Sequence, residues 1–225
     1  MYRKILSVVD NAKALRRVSE SFPQFGEWTD HDKSVFVDLN DTFNVVQGLG
    51  LSAPQIGILK RAVIINPQRL GLDENIESLI MINPRIELSG PVERGEEACF
   101  SVPGVFGQVE RQQSCKVTYT SIDGKERVLE ANGFPAVCLQ HEIDHLDGVL
   151  YIDRMGPLSR KMLLKKLMKI EKKKSEAAKL AKLAFDQDHR SFYTAGDEEK
   201  KKTTHSKKRK PKARKPRPKR SKKRK

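Results

Sequence analysis

Residues 135–148 read PAVCLQHEIDHLDG, and inside them His141, Glu142 and His145 form an H-E-x-x-H pattern. The turn signal Asn132-Gly133 precedes the stretch, Pro135 can start a helix without the N–H it lacks, and Gly148 stands where a glycine ends one. A helix over roughly 135–147 is predicted. Val137, Cys138, Leu139, Ile143 and Leu146 spread round most of its circumference, so it is expected to be central and buried. Residues four apart share a helix face, which lets His141 and His145 reach one ion while Glu142 points beside it. Burying two imidazoles and a carboxylate is costly unless something satisfies them, and a metal does so.

Working outward from that helix, short β-rich runs fill the middle of the chain at 62–66, 79–83 and 85–88. Residues 115–122 and 126–130 flank Asp123-Gly124 as a tight hairpin. Toward the N-terminus, Asp10-Asn11 can cap a short helix running to about Val18, and Pro23 with Gly26 breaks the chain. Thr29 opens a second helix, with Phe36, Leu39, Phe43 and Val46 three or four apart and Gly48 closing it. The fold class expected is α+β: antiparallel β-sheets packed around a central metal-binding helix, with N-terminal helices and a C-terminal helix.

The formal charge of +15 belongs to the end of the chain. Residues 200–225 hold 17 of the 44 Lys and Arg and no acid, which leaves 27 basic against 29 acidic side chains in 1–199. Three domains are expected: a catalytic body over 1–156, a basic amphipathic helix over 157–187 and a disordered tail over 188–225, which beyond Lys200 has no apolar residue larger than alanine to order its backbone. The N-terminus is too charged for a secretory signal and no apolar run approaches the roughly 20 residues that span a bilayer, so a cytoplasmic location without membrane contact is expected. Cys99, Cys115 and Cys138 make an odd set, which argues against a disulfide framework and leaves room for a metal thiolate.

A catalytic divalent ion commonly takes three protein ligands and keeps a further position open. The thermolysin-like pattern needs a downstream Glu, and the metzincin pattern a third His shortly after the second. Downstream, Asp147 and Asp153 stand too close to the helix end, Glu171 lies in a lysine-rich segment, and the next histidine is His189. The upstream candidate is Cys99, in GEEACFSVPG at 95–104. From ligand type alone, Cys and His suit zinc.

Three segments in order, GLGLSAPQIG at 48–57, GEEACFSVPG at 95–104 and LQHEIDHLDG at 139–148, resemble the signature motifs of the peptide deformylases. These metallohydrolases remove the formyl group from the N-terminal methionine of nascent proteins. The resemblance runs from about Ile5 to the helix after Pro157. It implies one divalent metal held by Cys99, His141 and His145, with Fe(II) as the physiological ion and Ni, Co or Zn as possible occupants. It implies Glu142 as general acid and base, with Gln55 and the backbone N–H of Phe100 as donors to the formyl oxygen. The methionine pocket maps onto Gly50, Glu97, Phe134, Val137, Cys138 and His141. A non-enzymatic RNA-binding protein on the same scaffold is the alternative from another class, and a zincin-type peptidase the alternative within hydrolases.

Three positions depart from the commonest family pattern. Ser52 stands for alanine, Ala98 for the glycine before the cysteine, and Phe100 for leucine. A required positive φ at Ala98 would strain the strand presenting Cys99. The expected partners are formyl-methionyl nascent peptides and, through the basic helix and tail, ribosomal RNA, since Lys and Arg neutralise phosphates irrespective of sequence. The family's C-terminal helix is a ribosome contact, and the chain is expected to act as a monomer.

Overall fold

The computed structural model describes residues 1–205, with side chains described through 180 and at Lys182. It divides into a body, Met1–Glu171, and a second unit, Lys172–Lys225.

Within the body, helix α1 (Val8–Leu15) and helix α2 (Asp30–Val46) precede a five-stranded antiparallel sheet. Its strands are β1 (Gly50–Ser52), β2 (Ala62–Ile65), β3 (Leu79–Cys99), β4 (Val102–Thr120) and β5 (Glu126–Asn132), adjacent in sequence order. Helix α3 (Phe134–Leu146) follows the last strand, and helix α4 (Pro157–His205) closes the described chain. The architecture is α+β with one sheet, where the sequence led us to expect more than one.

Local chemistry accounts for most boundaries. Thr29 caps α2 by accepting from the Asp32 N–H at 3.2 Å while the Asp32 carboxylate accepts from Thr29, a reciprocal capping box. The residue that ends α2 in the left-handed region is Gln47 (φ 52°) rather than Gly48. α1 begins at Ser7, whose hydroxyl accepts from Val9 N, and not at Asp10-Asn11. Asp10 falls in its first turn, Asn11 kinks it, and the helix stops at Leu15 where Arg16 leaves helical angles, short of the expected Val18.

The runs expected at 79–83 and 85–88 belong to one strand. Asn83 adopts φ 49° and the pairing with β4 shifts between Ile82 and Arg85, which absorbs the Asn83-Pro84 punctuation. Further shifts at Ser89/Val92 and Glu97/Cys99 bend β3 along its length. β2 covers β3 only from Leu79 to Ile82, so beyond that point β3 is held by β4 alone.

Helix α3 is the hub. Its buried Ala136, Leu139, Ile143 and Leu146 pack on Val63, Met81, Val117 and Ala131 from four strands of the sheet. α2 covers β1 and β2 through Val35, Phe36, Leu39 and Phe43. A third cluster joins Val8 and Leu15 of α1 to Val102, Val105 and Val109 of β4, to the turn Leu150–Ile152, and to Leu163 and Leu167 at the start of α4. α4 begins where expected and continues to His205, past the expected end at 187. The rest of the expected tail, 206–225, lies outside the described residues.

The exit from α3 is tightly built. Gly148 holds φ +71°, and a Cβ there would meet the backbone oxygen of Arg16 at 2.4 Å. Both the left-handed angle and the contact exclude a side chain. Gly148→Ala is expected to destabilise the body by about 2 kcal/mol or more, read as a lower midpoint in equilibrium urea unfolding.

Candidate metal centre and active site

Helix α3 presents His141 and His145 one turn apart, with ring centroids 5.1 Å apart and planes at 79°. The β3–β4 hairpin turns at Phe100 and Ser101, which leaves Cys99 as the last residue of β3, facing the helix. Cys99 Sγ lies 3.3 Å from His145 Nε2, and one ligand atom from each of Cys99, His141 and His145 falls within 4.8 Å of the other two. Ala98 keeps a negative φ, so its methyl group strains nothing in the strand that delivers the cysteine.

The two histidines are held differently: burial opposes the charged form of His141 but the Cys99 and Glu97 groups beside it raise its pKa, so it gives up a proton to bind a metal, whereas His145 is already neutral. His141 Nδ1 is 2.7 Å from Glu97 Oε2, which leaves Nε2 as its free nitrogen, and its ring stacks on Tyr151 at 6.0 Å. Burial, reinforced by His141 and Arg111, holds the His145 imidazole neutral well below the usual range. Metal binding requires neutral imidazoles. Two polar atoms among the described residues of the site are buried with no partner, Glu142 Oε2 and His145 Nδ1. Orphaned polar atoms in a core are costly, and a thiol with two imidazoles and an adjacent carboxylate suits a divalent transition metal.

Glu142 sits between the cluster and the loop over β1. A Cβ on Gly50 would lie 2.6 Å from Glu142 Cγ and 2.7 Å from Oε1. Gly50 is therefore glycine because the carboxylate needs the space; its backbone angle is not left-handed. Burial pushes the Glu142 carboxyl up to about 7, a value suited to taking and returning a proton near neutrality.

Gln55 is locked from behind. Its Oε1 accepts from Ser52 N at 2.8 Å and Ser52 Oγ at 2.9 Å, which turns Nε2 toward Cys99 Sγ and Ser101 Oγ, both at 3.4 Å. Ser52 thus adds a hydrogen bond that an alanine would lack.

A cavity of about 650 Å³ opens onto the cluster. Gly50, Gln55, Glu97, Cys99, Phe100, Phe134, Val137, Cys138, His141 and Glu142 all line it, and His145 lies behind them, 1 % exposed. Cys138 is a wall: burial first, then the Glu142 and Glu97 charges, push its thiol far above the range in which a thiolate forms. Gly48 gives room to Phe100, whose ring occupies the place a side chain at 48 would take.

The sequence offered no sign of the support behind Glu97. Arg111 on β4, with a side chain 3 % exposed, donates to both Glu97 oxygens at 2.7 and 3.0 Å and to Asp144 Oδ2 at 2.6 Å. Arg154 adds a second guanidinium on Asp144. Burial opposes the Glu97 carboxylate, but the hydrogen bonds from His141 and Arg111 outweigh it and hold its pKa at about 2. Asp144 stands inside the H-E-x-x-H helix and could have been suspected. Arg111 lies 30 residues away on a strand and could not.

A family model described as polypeptide deformylase matches residues 2–161. A peptide deformylase of Pelagibacter ubique is 38% identical over 160 residues, covering 71% of this chain and 90% of that protein. One from Agrobacterium fabrum is 42% identical over 138 residues, 61% of this chain and 80% of its own. Among solved structures, a peptide deformylase from Legionella pneumophila superposes with TM-score 0.68 at 34% identity, covering 78% of this chain and 98% of that one. The Ehrlichia chaffeensis peptide deformylase in complex with actinonin gives TM-score 0.65 at 32% identity, covering 76% and 98%.

Removing Arg111 takes the shared cation from two buried carboxylates and leaves Glu97 only His141 and Asp144 only Arg154. Arg111→Met is expected to cost about 3–5 kcal/mol of stability, measured by equilibrium unfolding.

Proposed function

The chain belongs to the polypeptide deformylase family, enzymes that remove the N-formyl group of nascent polypeptides with a single catalytic metal, and from that premise we propose the part each residue plays. Cys99, His141 and His145 hold the ion, and Glu142 is the catalytic acid and base. The observation that carries this reading is the partnerless, buried Glu142 Oε2 beside three ligand atoms within 4.8 Å of one another.

Bound there, a divalent ion supplies Lewis acidity toward the formyl oxygen and eases deprotonation of water. Glu142 accepts a proton from the water that attacks the formyl carbon and gives it to the departing nitrogen as the C–N bond breaks. Formate and a free N-terminal amine result, and the carboxylate returns to its starting state. Gln55 Nε2 and the Phe100 backbone N–H donate to the formyl oxygen as negative charge builds there. Gly50, Phe134, Val137 and Cys138 form the methionine slot, with Glu97 at its edge serving chiefly to orient His141.

Fe(II) is the ion we propose, by likeness to the family; zinc, nickel and cobalt satisfy the same donor set. We propose a monomer in the cytoplasm, with 1–156 as the catalytic domain followed by two basic segments, 157–187 and 188–225, α4 running on into the second, and both segments meeting ribosomal RNA. Among the described residues no helix is long and apolar enough to cross a membrane. The start of α4 carries exposed Lys161, Lys165, Lys166 and Lys169, a face suited to phosphates.

Protein purified without oxygen is expected to carry one metal per chain and to release amine from formyl-Met-Ala. Cys99→Ala is expected to lose metal by elemental analysis, whereas Glu142→Ala keeps the metal and loses about 10²–10⁴-fold in rate. Retained metal in Cys99→Ala, or an active Glu142→Ala, overturns the assignment. Ribosome cosedimentation is expected at low salt, to weaken steeply as salt rises, and to fall on deletion of 200–225; equal pelleting of both forms refutes a role for the tail.

A further inference from the structure

Three phenylalanines stand in water around the mouth of the 650 Å³ cavity. Phe100, Phe106 and Phe134 are 42 %, 60 % and 59 % exposed, and all three line the opening. Phe100 comes from the hairpin turn, Phe106 from β4 and Phe134 from the first turn of α3, so the aromatic rim is assembled from three separate elements. Elsewhere among the described residues, large exposed apolar side chains such as Val37, Val45 and Ile122 lie away from the cavity. Single exposed apolar residues need no explanation, but three rings converging on one opening mark a contact surface.

A polypeptide whose first residue is fixed in the slot beside Cys138 and His141 must leave through this mouth. An extended chain advances about 3.3 Å per residue and turns alternate side chains to opposite sides, so its second and third residues pass within the rim. We propose that the rim of Phe100, Phe106 and Phe134 makes this enzyme prefer formyl-methionyl chains with large apolar side chains at the second or third residue. The inference rests on the deformylase reading of the cavity and deepens it. Burying a Phe or Leu of the substrate against these rings removes apolar surface of both partners from water. A serine there gains nothing from the contact. Glu96, exposed at the same opening, adds an unfavourable charge for acidic residues.

The test compares formyl-Met-Ala, formyl-Met-Xaa-Ala and formyl-Met-Ala-Xaa with Xaa as Phe, Leu or Ser, on metal-loaded wild type and Phe106→Ser. Phe106 supplies no group to the metal or to the proton transfer. The wild type is expected to favour Phe or Leu over Ser by about tenfold in kcat/KM at one of the two positions, carried by KM. In Phe106→Ser that ratio is expected to shrink to about twofold, by loss of kcat/KM for the Phe and Leu peptides. Turnover of formyl-Met-Ala with no preference at either position, or a preference that survives Phe106→Ser, overturns the proposal. Failure to turn over formyl-Met-Ala would instead strike the deformylase reading itself.

Discussion

Everything at the site hangs from one buried cation. Arg111 reaches from β4 to grip Glu97 on β3 with two nitrogens and Asp144 on α3 with a third. A guanidinium with 3 % of its side chain exposed tolerates removal from water only because two carboxylates close round it. That requirement fixes the distance between hairpin and helix. It also fixes His141, since the same Glu97 carboxylate takes its Nδ1. The ligand cluster is thus the outer end of a chain of charge that begins in the sheet.

The sheet contributes in a second way. β3 is paired to β2 for only four residues and then runs on with β4 as a two-stranded ribbon, shifting register three times. Those shifts carry Cys99 to the helix and turn the hairpin back immediately after it. A regular, fully paired strand would have kept the cysteine within the plane of the sheet. The irregularities that hid β3 from periodicity are what place the thiol.

The contrast explains how far the sequence alone could be read. The helix from Pro135 was legible because proline, glycine and the apolar spacing agreed, and the histidine spacing translated directly into a shared face. Thr29 was legible because its capping box is local chemistry. Gly50 was legible only as part of a motif, since nothing in a sequence says that a carboxylate from residue 142 will need the room. Arg111, Arg154 and Tyr151 gave no signal, because their partners are far along the chain and their spacing carries no period. The start of α1 was misplaced because a single serine hydroxyl outcompeted two acidic-amide candidates three residues on. Local rules held where local interactions decide, and failed where contact is made through the fold.

The hydrogen bonds behind Gln55 have one more effect. Because Ser52 supplies two donors to Oε1, turning the amide over would set N–H against N–H, so the side chain can present only its donor to the cavity. A carbonyl oxygen is welcome there. A protonated amine, which has hydrogens and no lone pair, is not. Ser52 thus sets the polarity of the amide from within the loop, before anything enters the cavity.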